Sequence, residues 1–302
     1  MLIRERFEKT KFSDSEQVIV DYILEQKTNI RAMTTKQIAQ ATYTSPSTLI
    51  RIAKKMKYKG WNELKDDYLK EEDYLSAHFS DIDANYPFQK NDPIMTIAAK
   101  LATVRNEATS DTLSLLTHDD LQKAVQIIYN SDYACVYAVS NNLNIVQEFK
   151  HNMSRIRKRV DICSQEGEIV FAASLQDKKS CSIIVSYSGE TQELCRVART
   201  FKLRGIPFIA ITSIGDNTIA RLADVTLRIT TRERLFSKIA TFTTDSAIAF
   251  MLDVIYSCVY AIDYDANTAL KANMNSIIEK GRFSTSSIIN ETASVDDYYY
   301  DD

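Results

Sequence analysis

The spacing of apolar residues changes character twice along the chain and predicts two units joined by an irregular stretch. Up to Leu75 the apolar positions recur at helical spacing: Ile19, Tyr22 and Ile23 on one stripe, Ile38 and Ala41 on the next, then Leu49, Ile52 and Met56. Capping signals mark the starts. Ser13 with Glu16 and Thr34 with Gln37 have capping-box spacing, and Ser45-Pro46 places a Ser at N-cap before a Pro at the first helical position. A polar helix from Asn62 to Leu75 closes this part. Residues 76–93 lose the period and hold Pro87 and Pro93, so they read as a linker.

Beyond it, Ile94–Leu116 and Leu121–Ile128 are helical in pattern, and then short apolar runs take over. Tyr133–Val139, Cys181–Tyr187 and Pro207–Thr212 are nearly uninterrupted, as expected of parallel strands covered on both faces. Val225–Ile229 is a weaker run and Arg159–Ile162 a candidate edge strand. Amphipathic stretches at Leu143–Arg157, Thr191–Leu203 and Thr218–Leu222 alternate with them, and long helices are expected over Ile239–Ile262 and Asn267–Lys280. Alternating strands and helices predict a doubly wound parallel-sheet α/β/α sandwich, following an all-helical N-terminal domain.

Charge adds a candidate function to the first unit. Between Arg31 and Lys65 eight Lys/Arg face one acid, Glu63, in a chain whose net charge is −3. Thr34–Trp61 reads as two short helices joined by a tight turn, a helix-turn-helix arrangement. The face opposite Leu49, Ile52 and Met56 carries Ser47, Thr48, Arg51, Lys54 and Lys55, with Thr34, Thr35, Ser45 and Lys59 beside it. Hydroxyls at the leading end and cations behind suit a helix entering a major groove and meeting phosphates. The alternative is a small helical domain with a solvated basic face.

The sheet unit has its own candidate site. Ser186-Tyr187-Ser188-Gly189-Glu190-Thr191 follows an apolar strand and opens a helix, at the carboxyl edge where ligands bind in this architecture. Gly189 allows close backbone approach, the amides of residues 188–191 are expected to be free first-turn donors, and the hydroxyls add to them, which suits a phosphate. Glu190 suits a phosphate only if it turns away or meets a sugar hydroxyl. There is no Walker-type G-x-x-x-x-G-K. Five scattered cysteines without a C-x-x-C pair argue against a disulfide framework or a zinc ribbon, and the three histidines show no metal-ligand spacing. No cofactor or metal is expected. The start lacks a signal-peptide core, and Ala247–Ile262 is read as too short for a membrane span and contains Asp253, so a cytoplasmic location without membrane contact is expected.

Both units together resemble the RpiR/MurR-type bacterial transcriptional regulators, an N-terminal helix-turn-helix followed by a SIS (sugar isomerase) domain. The resembling residues are FSDSEQVIVDYIL (12–24), MTTKQIAQ (33–40), SPSTLIRIAKKMKYKGWNELK (45–65), SYSGET (186–191) and AITS (210–213). The resemblance implies domains at 1–76 (helix-turn-helix), 77–106 (linker and connecting helix) and 107–282 (SIS), before an acidic tail at 283–302. It implies double-stranded operator DNA and a phosphorylated sugar effector as partners, a homodimer or homotetramer, and control of sugar-metabolism genes. Ser186, Ser188 and Thr191 would hold the phosphate, with Gly189 and Glu190 in the same loop.

One loop departs from the family pattern. Where the family has a sequence close to G-x-G-x-S after the first strand, this chain has Ala138-Val139-Ser140-Asn141-Asn142, leaving Ser140 or Asn142 as donors. Two other readings remain at this point: a SIS domain kept only for oligomerisation, and a sugar-phosphate aldose–ketose isomerase. The isomerase needs a general base, for which Glu190, Glu148, His151 and Glu233 are candidates. A DNA-reading unit has no purpose in a plain isomerase, so a non-enzymatic role without catalytic residues is expected. Thr230–Lys238 supplies Arg232 and Arg234 as further candidates to wall the site, and the tail Glu291–Asp302 is expected to be disordered.

Overall fold

The computed structural model describes residues 2–77, 82–165, 167–278, 286 and 288. The N-terminal unit consists of α1 (Ile3–Lys9), α2 (Asp14–Gln26), a 3-10 segment (Lys27–Ala32), α3 (Thr35–Ala41), α4 (Pro46–Lys55) and α5 (Trp61–Ala77). The apolar stripes named above meet in one core, where Ile19, Ile23, Ile38, Leu49 and Ile52 are fully buried. Both helices of the pair start at the residues expected, though only Thr34 caps with its side chain, the Ser45 hydroxyl meeting those of Ser47 and Thr48 instead. The Thr34 hydroxyl accepts the Gln37 N–H at 3.2 Å and Gln37 Oε1 accepts the Thr34 N–H at 2.8 Å, while Pro46 is the first residue of α4. A helix before Ser13 was not expected. α1 buries only Ile3 and Phe7, too few to show a period, and it is held from outside its own sequence. Glu71 on α5 accepts the N–H groups of Ile3 (2.7 Å) and Arg4 (3.0 Å).

The second unit holds α6 (Ile94–Ser114), α7 (His118–Asn130), β1 (Tyr133–Tyr137), α8 (Asn142–Ser154), β2 (Arg159–Cys163), α9 (Ile169–Leu175) and β3 (Ser180–Val185). It continues with α10 (Gln192–Arg204), β4 (Phe208–Ser213), α11 (Thr218–Leu222), β5 (Val225–Ile229), α12 (Phe242–Ile262) and α13 (Tyr264–Ile278). The five strands are all parallel in the order β2-β1-β3-β4-β5. Side chains alternate between two cores, as the pleat requires. Val136, Ile183 and Ile209 face α7, α8 and α12, whereas Tyr137, Ile184 and Phe208 face α9, α10 and α11. The chain steps from β1 outward to β2 and then back across to β3, so the crevice between the carboxyl ends of β1 and β3 is the switch point where this architecture binds ligands.

Three expectations need adjustment. α12 begins at Phe242 and runs 21 residues, so it is long and apolar enough to cross a membrane, contrary to the reading of Ala247–Ile262 as too short. Its buried face, including Ile248, Met251 and Ile255, packs into the sheet core. Residues 82–93, read as linker, are pinned to the sheet unit. Asn85 Oδ1 accepts the Arg234 N–H at 2.6 Å, and the Asn85 carbonyl accepts the Ile239 N–H at 2.9 Å. The expected boundary at 106/107 falls inside α6, which packs along α12. The tail Glu291–Asp302 lies outside the described residues.

Candidate functional site

In the sheet unit, β3 delivers Ser186–Thr191 to the switch point and α10 starts directly behind it. Gly189 has φ +63°, and its carbonyl accepts the Ile219 N–H at 3.2 Å. A Cβ at this position would lie 2.1 Å from Cγ of Asn217, so only glycine fits. The Ser186 and Thr191 hydroxyls lie 3.2 Å apart. The expected set of free amides shifts, because the Gly189 N–H donates to the Ser186 carbonyl (3.1 Å) and the Glu190 N–H to the Ser188 hydroxyl (3.2 Å). The helix opens only at Gln192, and Thr191 at its N-cap makes no side-chain cap. First-turn amides of α10 with no cap, set at the positive end of a 13-residue helix, form an anion-binding arrangement.

Glu190 does not face that helix end. Its Oε1 accepts the Thr218 N–H at 2.7 Å, so the carboxylate caps α11 and leaves the anion position. Asn217 beside it accepts the Ala220 N–H at 2.9 Å and donates to the Thr212 hydroxyl at 3.1 Å. An Asn before Thr218–Leu222 was a readable N-cap signal; the distant cap supplied by Glu190 was not.

The first loop, Ala138–Asn142, has no glycine, yet one of its residues takes a backbone conformation that favours glycine. Ser140 stands at the second glycine position and has φ +56°. Among the described residues no hydrogen bond ties up the side chain of Ser140 or Asn142. Asn141 between them donates to Asp245 Oδ2 at 2.8 Å, which also accepts from the Thr241 hydroxyl at 2.8 Å. Burial raises the Asp245 pKa, and its Oδ1 is buried with no hydrogen-bond partner. Sequence reasoning missed Asp245, whose contact with Asn141 spans some hundred residues of chain.

The loop after β5 closes the opposite side. The Tyr187 hydroxyl donates to the Glu233 carbonyl at 2.7 Å, and Lys238 Nζ stands 5.6 Å from the Tyr187 ring centroid. Glu233 is no free base. Its carboxylate accepts from the N–H and hydroxyl of Thr243 (2.6 and 2.8 Å), the Thr244 hydroxyl (2.7 Å) and Lys238 Nζ (3.2 Å). It is the cap that starts α12 where it does. Arg232 is buried and pairs with Glu107 on α6 at 2.5 Å. Glu148 and His151 are exposed on α8.

In the N-terminal unit, α4 presents Ser47, Arg51 and Lys54 outward, with Thr34, Ser45 and Lys59 exposed and Thr35 half-buried nearby. Two expected readers are placed differently. Thr48 is 2% exposed, and its hydroxyl accepts from the Arg51 guanidinium at 3.2 Å. Lys55 reaches back to Glu16 at 2.6 Å and lies over the Phe12 ring. The first departure follows from α4 burying Thr48 and Ala53 beside Leu49 and Ile52, and the second from the carboxylate of Glu16 on α2 within reach of the exposed Lys55.

The comparisons follow this geometry. A model of the rpiR-family helix-turn-helix domain matches residues 2–73 and a SIS-domain model residues 127–256. An HTH-type transcriptional regulator of Caldanaerobacter subterraneus subsp. tengcongensis is 26% identical over 228 residues, covering 75% of this chain and 79% of that protein. The HTH-type transcriptional regulator YbbH of Bacillus subtilis is 24% identical over 260 residues, covering 86% and 90%. The Vibrio vulnificus NanR protein, solved in complex with ManNAc-6P, superposes with a TM-score of 0.57 at 20% identity, covering 91% of this chain and 97% of that one. The sugar isomerase domain of an RpiR transcription factor from Sphaerobacter thermophilus gives 0.52 at 16% identity, covering 59% and 97%. With an rpiR-type helix-turn-helix ahead of a SIS domain, and with relatives that are named transcriptional regulators along most of its length, this chain belongs to the RpiR family of regulators.

Proposed function

We propose that the protein binds operator DNA through α4 and that a phosphorylated sugar, held at the β1/β3 crevice, controls this binding. The carrying observation is the uncapped start of α10, from which Glu190 has been diverted to Thr218. Phosphate oxygens would meet the α10 amides and the hydroxyls of Ser186, Ser188 and Thr191, with Gly189 allowing close approach. Ser140 and Asn142 would contribute side-chain hydrogen bonds from the first loop. That NanR of Vibrio vulnificus is complexed with ManNAc-6P supports a sugar phosphate as the ligand class. In this reading residues 1–76 serve DNA and the SIS unit serves sensing, acting in the cytoplasm as a symmetric homodimer or homotetramer on a two-fold operator. The genes controlled would serve uptake or breakdown of that sugar.

The effector works only by binding one arrangement of the oligomer better than another. The test is the affinity of the full-length chain for a duplex selected from a random pool, at fixed salt, with and without each of a panel of sugar phosphates. One of them is expected to change Kd by about fivefold or more. An unchanged Kd with every sugar phosphate would leave the SIS unit as an assembly domain.

A further inference from the structure

The turn between α3 and α4 and the outward face of α4 hold two large apolar side chains in solvent. Tyr43 is 99% exposed and has φ +50°, a conformation that favours glycine. The turn itself is well formed, with the Thr44 N–H on the Ala39 carbonyl at 2.8 Å, so a glycine would satisfy the backbone. The chain instead spends this position on an aromatic ring with nothing to pack against. Ile50 is 50% exposed and lies on the stripe Ser47, Ile50, Arg51, Lys54, which has i, i+3, i+4, i+7 spacing. It is the one aliphatic side chain on that stripe. Exposed Lys36, Arg51, Lys54, Lys57 and Lys59 lie on the same two helices and the turns that follow them, a charge suited to the phosphates of a duplex and not to another apolar protein surface.

We propose that Ile50 reads the C5-methyl group of a thymine in the major groove, with Tyr43 covering a neighbouring thymine from the turn. The inference rests on the DNA-reading role given to α4 above. A thymine methyl is the only apolar group that the major-groove edges offer, and an aliphatic side chain between a hydroxyl and a guanidinium matches a thymine beside the base pair that Arg51 contacts. The operator half-site is therefore expected to hold thymines at fixed positions next to a guanine.

The experiment uses the full-length chain and its Ile50→Ala and Tyr43→Gly variants, with duplexes enriched by the wild type from a random pool. Each thymine is then replaced by uracil, which lacks only the methyl. At one or two positions the replacement is expected to weaken the wild type by roughly fivefold or more, and to leave Ile50→Ala indifferent at one of them. Tyr43→Gly is expected to melt at a higher temperature and yet bind more weakly, which a merely structural role would not give. No uracil effect, or the same effect in Ile50→Ala, overturns the proposal. So does an altered oligomeric state of Ile50→Ala with unchanged sequence preference, which would make this surface a contact with a second copy. Failure of the wild type to enrich any sequence would instead remove the DNA-reading role itself.

Discussion

Gly189 and Asn217 are locked against each other: the space a Cβ on Gly189 would need is filled by the Asn217 carboxamide, 2.1 Å away. Asn217 cannot retreat, because it caps α11 through Ala220 and bonds the Thr212 hydroxyl. Gly189→Ala therefore combines a left-handed alanine with a clash, together about 2–4 kcal/mol of lost stability. Urea denaturation is expected to show this loss, and Asn217→Gly in the same chain to restore part of it.

Glu190 holds the Thr218 N–H, away from the anion position. Glu190→Ala is expected to cost about 1 kcal/mol, as for a lost cap, and to leave sugar-phosphate affinity nearly unchanged. A calorimetric titration in which this variant binds far more weakly or far more tightly would put the carboxylate back in the site.

The helical stripe of α4 and its Ser45-Pro46 start were legible because cap and period are local signals. The three central strands were equally plain, since parallel strands buried on both faces must be apolar throughout, whereas the edge strands β2 and β5 carry polar residues and read more weakly. α1 escaped because two buried residues make no period. Its start is stabilised by Glu71, far along the chain. The site was half legible for the same reason. Ser186–Thr191 stands in one stretch, but the direction of Glu190, the capping by Glu233 and the bridge from Asn141 to Asp245 exist only once the sheet is assembled.

Arg51, Lys54 and Lys55 are expected to fail in different ways. Arg51→Ala should flatten sequence preference at one position by about 1–3 kcal/mol. Lys54→Ala should lower affinity for all duplexes and reduce the salt slope by about one. Lys55→Ala leaves buried Glu16 without its cation, so it should lower the melting temperature more than it changes the salt slope. Binding measured across a salt series, with melting curves, separates the three.

Acid should loosen the N-terminal unit through Glu16. The hydrogen bond from Lys55, then the Ser13 N–H, hold its pKa below the ordinary 4.5. The unfolded chain therefore binds the proton more readily, and this stabilisation is present above about pH 4.5 and lost as pH falls through the lower folded value. Glu71 shifts the other way, raised by burial, so Glu16→Gln is the variant that isolates the effect. Its melting temperature is expected to fall less steeply between about pH 6 and pH 3 than that of the wild type.

The central claim, a sugar phosphate seated on the start of α10, is tested most directly by the melting temperature of the full chain against a panel of hexose and amino-sugar phosphates. A ligand that binds only the folded state must raise it. One sugar phosphate is expected to do so where its unphosphorylated sugar does not, and Thr191→Val with Ser188→Ala should abolish the rise. A panel without any rise, or a rise that survives in the double variant, would contradict the site.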